Sequence, residues 1–312
     1  MNADAGSDAL VADAPSPPSG ERRTQVLVLV ALAIYAGVTH ATMGLRGEHA
    51  VLAGITLGVV LKGGKALKFL ALFSPIILTG ITYDYVRLLV SLRGEIHVSD
   101  LYGAELALFG IDGMIPAHWF ESHTYAPLDF ITGVAYIVYL YVPMVSAIVL
   151  FWLDRRAMLL VGLAFLATNL LGIVVYLAYP AAPPWYVQLY GLGPANLEAI
   201  PNAAGAVRFD HLVGIDYFTE FYKRSANVFG AMPSLHTAYP ASTALALYTM
   251  GKKAWMPIAI FTLLVGFSAV YLQHHYILDV IAGFACALAG WAIARGVMRA
   301  LERRRTLELA DA

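Results

Sequence analysis

Three side chains have the types and spacing to do chemistry together. His236 lies in "NVFGAMPSLHTAYP" (227–240), and His275 and Asp279 lie in "YLQHHYILDV" (271–280). Asp279 follows His275 by four residues, so on a helix the two side chains share one face, one turn apart. A carboxylate there can accept the proton on one ring nitrogen, leave the other bare as a nucleophile, and stabilise the imidazolium that forms. His274 is five residues from Asp279, points elsewhere on the helix, and is the poorer candidate. From His236 to His275 is 39 residues, spanning two apolar runs joined at "GKK". That is two membrane spans and a tight turn, which returns the chain to the face it left. A lone histidine at a membrane border is more often passive than catalytic. Here an aspartate within a span, costing about 2.5–3.5 kcal/mol to insert, demands a partner. His275 supplies it, with His236 on the same side at similar depth.

The elements that hold these residues are apolar helices. Of 312 residues, 59% are hydrophobic and 13% charged, against about a quarter charged in soluble domains. The composition identifies an all-α polytopic membrane protein. The runs predict helices at 24–44, 48–63, 66–91, 125–152, 157–180, 234–251, 254–273 and 276–298. The second is short and glycine-containing, and is open to a re-entrant reading. Residues 1–23 read as a disordered cytoplasmic tail, 24–65 as accessory N-terminal helices, 66–298 as the catalytic core, and 299–312 as a cytoplasmic C-terminal tail. Fourteen of the twenty Lys and Arg fall on the inner side if the N-terminus is inside, which favours both termini in the cytoplasm. Two long segments then face outward. Residues 92–124 contain "LYGAELALFG", a modest amphipathic pattern suited to an interface. Residues 181–233 are rich in Pro, Gly, Asn and aromatics, which argue for order. A net charge of -1 gives no pull toward nucleic acid, and the single cysteine, Cys286, permits no intramolecular disulfide.

"PSLH" (233–236) followed by "SAVYLQHHYILD" (268–279) resembles the last two signature blocks of the type 2 phosphatidic acid phosphatase superfamily. Those blocks run Pro-Ser-x-His, then Ser-Arg with a His seven residues after the Ser and an Asp four further on. Ser268, His275 and Asp279 keep that spacing. "YPAAPPWYVQLYGLGPA", "VFGAMPSLH" and "YLQHHYILD" together resemble the fungal-type inositol phosphorylceramide synthase branch, over roughly residues 179–285. Two departures stand out. Ala269 occupies the superfamily's arginine position, and "YPAAPPW" takes the place of a Lys-x6-Arg-Pro block. The ceramide-phosphotransferase branch shares such departures, which leave the cations that hold the phosphate unassigned.

The resemblance implies a six-helix phosphatidic acid phosphatase-like core preceded by one or two extra N-terminal transmembrane helices. It also implies that His275 attacks a lipid phosphate ester, that Asp279 orients and charge-balances it, and that His236 serves as acid and then base through a phosphohistidine. Charge on the phosphate needs donors. Arg87 in "TYDYVRLLV" is the best buried cation, although Asp84, three residues back, offers it a structural pair. Arg208, Lys223 and Arg224 lie in the outer loop. Asp129, at the start of the fourth helix, reads as a site residue or a helix N-terminal partner. Ser234 and Trp185 complete the candidates, with Trp185 anchored at headgroup level at the bundle mouth. No metal and no cofactor is implied.

The activity expected from the resemblance is transfer of a phospho-alcohol headgroup, phosphoinositol from phosphatidylinositol, onto ceramide with release of diacylglycerol. The alternatives are a lipid phosphate phosphatase with water as acceptor, and a non-enzymatic lipid transporter or scaffold in which the three residues are dispensable. The chain is expected in a bacterial inner membrane with its site on the periplasmic side, or with a lumenal site if eukaryotic.

Overall fold

Pro143 explains the first departure from the expected helices. A proline lacks the N–H that would bond one turn back, and its ring collides with the carbonyl there. The single helix expected over 125–152 is therefore two helices, bent by 53° around Tyr139 and Leu140.

The structure, a computed structural model, describes residues 19–225 and 227–310. Most of the expected N-terminal tail lies outside them. In chain order the α-helices are α1 (Ser19–Met43), α2 (Gly47–Lys62), α3 (Gly64–Leu89), α4 (Ser99–Phe109), α5 (Pro116–Trp119), α6 (Ala126–Val138) and α7 (Tyr141–Leu153). There follow α8 (Arg155–Ala178), α9 (Pro184–Tyr190), α10 (Val207–Val213), α11 (Tyr217–Tyr222), α12 (Leu235–Leu247), α13 (Lys252–Tyr271) and α14 (Ile277–Ala310). Among the described residues the only β-pairing is three isolated bridges. Among the described residues five helices, α1, α3, α8, α13 and α14, are long and apolar enough to cross a membrane, and the bent pair α6–α7 passes the same test when taken together.

The chain divides within α3 into two compact units. In the first, α1 packs on α2. The Gln25 amide donates to the Val60 carbonyl (2.8 Å), and the Glu21 carboxylate accepts the Gly64 N–H (2.7 Å). Helix α1 starts at Ser19, so residues 19–23, expected in the tail, are helical.

The second unit begins at Phe73. Its centre is α12, packed against α7, α8, α13 and α14, with eleven of its thirteen residues buried. Helix α12 is shorter than the expected 234–251, ending at Leu247 in a single 3-10 turn, Tyr248–Met250. Helix α14 is longer than expected and continues through the presumed C-terminal tail to Ala310. Its Glu302 pairs with Arg156 (2.7 Å) at the start of α8, where Asp154 caps the N–H groups of Arg156 and Ala157.

The two long connections fold back over one end of this unit. His97 bridges Ala181, and Ala181 bridges Gly230. The ladder is carried by His97 N–H to Pro180 O (2.8 Å), Ala182 N–H to His97 O (2.9 Å) and Ala231 N–H to Ala181 O (3.1 Å). Residues 92–98 are thereby tied to the chain just before Ser234, at the end where α13 turns into α14.

Candidate active site

The turn from α13 to α14 builds the histidine side of the site. Gln273 adopts φ +65, a left-handed conformation unusual outside glycine. That reversal lets the N–H groups of both His274 (3.1 Å) and His275 (3.0 Å) reach the Ala269 carbonyl. Ala269 is itself fully buried against Tyr136, Phe209 and Leu272, which leaves no space for a long cationic side chain at that position.

His275 is 3% exposed, and its Nδ1 lies 2.7 Å from the Ala231 carbonyl. A carbonyl oxygen only accepts, so Nδ1 carries the proton and Nε2 is bare. Nε2 faces His236 Nδ1 at 2.9 Å. Asp279 is fully buried, and its Oδ2 lies 3.4 Å from His275 Nδ1. The same oxygen accepts the Tyr276 N–H at 2.8 Å. The ring proton expected to go to Asp279 thus goes first to a backbone carbonyl, with the carboxylate alongside as a charge. The Asp279 backbone carbonyl accepts the Ser234 N–H (2.9 Å), which fixes the start of α12 to the first turn of α14.

His236, in the first turn of α12, is half-buried between two tyrosines. Tyr136 stacks on it at 4.2 Å and 12°, and Tyr139, at the α6–α7 break, lies at 4.6 Å and 50°. Tyr136 also lies parallel to His274 (5.4 Å, 15°), whose other neighbour is Tyr222 (4.4 Å, 11°). His274 Nε2 donates to the Ala203 carbonyl at 3.1 Å. Burial and the adjacent His275 push the His274 pKa down to about 3, so it stays neutral.

Glu105 was missed in the sequence. It sits in α4, is fully buried, and accepts the N–H groups of Ile277 (2.8 Å) and Leu278 (3.1 Å). With Asp279 on Tyr276 N–H, two carboxylates satisfy three of the four free N–H groups that open α14. Burial holds the Glu105 carboxyl above the usual carboxylate range, against the pull of those two N–H groups. The available signal was a glutamate on the apolar side of "LYGAELALFG".

The remaining candidates divide. Arg208 and Asp129 come together (2.7 Å) beside the site. The Arg208 guanidinium also donates to the Tyr271 carbonyl (3.2 Å), and the Tyr271 hydroxyl donates to Asp129 (2.9 Å), four residues before His275. Arg87 is paired with Asp84 (2.9 Å) and lines an open cavity with Arg93, His97, Asp100 and Leu192, apart from the histidine pair. Lys223 pairs with Glu220, and Arg224 beside it is exposed. Ser234 is fully buried, holding the junction of α12 with α14 by its backbone. Trp185 is 5% exposed, packed with Val98, Tyr186 and Phe229, and its backbone N–H donates to the Gln273 carbonyl (3.2 Å). It is thus a buried support of the α13–α14 turn.

The family profile described as the PAP2 superfamily matches residues 100–293, which include Glu105, His236, His275 and Asp279. The chain belongs to the PAP2 superfamily. Among the relatives of this PAP2-superfamily protein is the phosphoinositol dihydroceramide synthase of Bacteroides thetaiotaomicron, 37% identical over 279 residues. That match covers 86% of this chain and 91% of the relative. The inositol phosphorylceramide synthase of Candida albicans is 36% identical over 166 residues, 52% of this chain and 35% of the relative. The inositol phosphorylceramide synthase catalytic subunit of Saccharomyces cerevisiae is 40% identical over 116 residues, covering 37% and 29%. No solved structure shows significant similarity to the chain.

Proposed function

We propose that this PAP2-superfamily protein transfers phosphoinositol from phosphatidylinositol to the primary hydroxyl of a ceramide-type lipid and releases diacylglycerol. The observation that carries the chemistry is the bare Nε2 of His275, 2.9 Å from His236 Nδ1. The substrate classes are supported by the names of the bacterial and fungal relatives.

In the first step the His275 Nε2 lone pair attacks phosphorus, and the bond from phosphorus to the diacylglycerol oxygen breaks. Burial and the neighbouring His275 hold the His236 pKa well below the usual imidazole range in the free protein. His236 takes up a proton as the anionic phosphate enters and gives it to that oxygen. In the second step the ceramide hydroxyl attacks the phosphohistidine. The P–N bond breaks, its electron pair returns to Nε2, and His236 takes the hydroxyl proton. The Ala231 carbonyl and Asp279 together hold the ring in one tautomer and offset its positive charge. Arg208, beside the site, is the cation best placed to meet phosphate charge by exchanging Asp129 for substrate. The charge distribution along the sequence supports a site on the side away from the cytoplasm.

The test is the purified protein in vesicles with labelled phosphatidylinositol and ceramide, beside His275→Ala. A new phosphosphingolipid from wild type and none from the variant is the expected result. Water-soluble inositol phosphate as the sole wild-type product would overturn the transfer reading.

A further inference from the structure

The transfer reading leaves one question inside the same site: what keeps water from taking the place of the lipid hydroxyl. Water attacking the phosphohistidine would break the same P–N bond, give its proton to His236, and release inositol phosphate. The two acceptors differ in route, since a lipid hydroxyl arrives from the bilayer and water from the folded connection 181–233.

On that connection's side of His236 stand the parallel rings of Tyr136, His274 and Tyr222, with successive centroids 4.2, 5.4 and 4.4 Å apart and planes within 15°. These separations leave no space for a water molecule between neighbouring faces. Tyr136 and His274 are 2% and 5% exposed, and Tyr222 is the outermost ring, only partly buried. The stack is anchored from the connection itself. Asp210, 1% exposed, accepts the N–H groups of Phe218 (3.0 Å) and Thr219 (2.9 Å) and so fixes α11, which carries Tyr222. Phe218 packs into the cluster that holds Tyr136, and the His274 ring is held by the Ala203 carbonyl. These contacts come from the 181–233 connection, while the His274 N–H is held by the Ala269 carbonyl at the α13–α14 turn.

We propose that the Tyr222–His274–Tyr136 stack is the acceptor-selecting wall of the site, shutting water out from the connection's side so that the phosphohistidine survives until a lipid hydroxyl reaches it. The proposal rests on the transfer reading above. Tyr222 and His274 act here by exclusion and touch no reacting atom.

The experiment uses the full chain in phosphatidylcholine vesicles carrying inositol-labelled phosphatidylinositol and ceramide. It reads the ratio of aqueous inositol phosphate to lipid-phase product. Tyr222→Ala and His274→Ala are expected to raise that ratio about tenfold or more, as water enters a site built to exclude it. Tyr222→Phe, which keeps the ring, is expected to keep the wild-type ratio. A purely structural role would lower both products together, so an unchanged ratio in Tyr222→Ala and His274→Ala overturns the proposal. Should Tyr222→Ala fail to fold, Tyr222→Leu carries the same test. A wild type that makes no lipid-phase product overturns the transfer reading, an outcome separate from an unchanged ratio in the variants.

Discussion

His236 Nδ1 and His275 Nε2 are in direct hydrogen-bond contact at 2.9 Å, and the other His275 nitrogen is committed to the Ala231 carbonyl. Direct contact leaves no room for a phosphorus atom between the rings. The substrate's phosphoryl group must therefore take the place of this hydrogen bond, and the two histidines act as one unit. His236→Asn and His275→Asn are each expected to lower turnover by about 10³ or more, and the double variant by little beyond that. Single-turnover formation of labelled enzyme, measured for each variant, checks the assignment. Covalent label retained by His275→Asn would sink it.

Asp279 contributes charge and a hydrogen bond that can be separated. Asn in its place keeps an oxygen for the Tyr276 N–H but removes the negative charge beside His275. Asp279→Asn is expected to fold normally and lose about 10²–10⁴ in kcat with KM little changed. Kinetics at saturating lipid, set against a thermal melt, tell this from simple destabilisation.

Glu105 holds the opening of α14 from another helix. Glu105→Ala strands two buried N–H groups, an expected loss of about 2–4 kcal/mol that lowers Tm and kcat together. Glu105→Gln retains one acceptor oxygen and should recover part of both. Equal melting temperatures for wild type and the alanine variant would argue against the cap.

The junction of α12 with α14 depends on one glycine. A Cβ at Gly283 would stand 2.5 Å from the Ser234 carbonyl oxygen, whereas one at Gly296 on the same helix meets nothing within 4 Å. Gly283→Ala is expected to cost at least tenfold in activity by moving His236 off His275. Gly296→Ala should be neutral or slightly stabilising. Activity and melting measurements on the pair decide it.

Arg208 is expected to matter more for binding than for turnover. Arg208→Ala should raise KM for phosphatidylinositol about tenfold, and Arg208→Lys should recover only part, because the guanidinium serves Asp129 and the Tyr271 carbonyl at once. Arg87→Ala, at the separate cavity, is the comparison for initial-rate assays.

The helical membrane class and the histidine, histidine, aspartate constellation were legible because spacing carries them. The four-residue step and the 39-residue hairpin are properties of the string itself, although His275 lies in the turn before α14 and not on the helix expected to carry it with Asp279. The Ala231 carbonyl was illegible, since any residue type supplies a backbone acceptor and this one lies 44 positions from its donor. Glu105 stands in "LYGAELALFG" but was not singled out there, and only tertiary contact shows where its carboxylate goes. The α6–α7 break had its signal in Pro143, overridden by an apolar run of the right length. For the cations, sequence named Arg208 and Asp129 without pairing them, because 79 residues of chain separate them.

The brevity of α12 has a consequence for how such a catalyst meets membranes of different thickness. At about 1.5 Å per residue its thirteen residues rise about 20 Å, less than a hydrocarbon core of about 30 Å. Wrapped by α7, α8, α13 and α14, it meets neighbouring protein along nearly its whole length, so hydrophobic mismatch puts no direct tension on it. Thicker or thinner bilayers meet the longer helices around it, α8, α13 and α14. The position of His236 opposite His275 is set by a helix that neighbouring protein encloses.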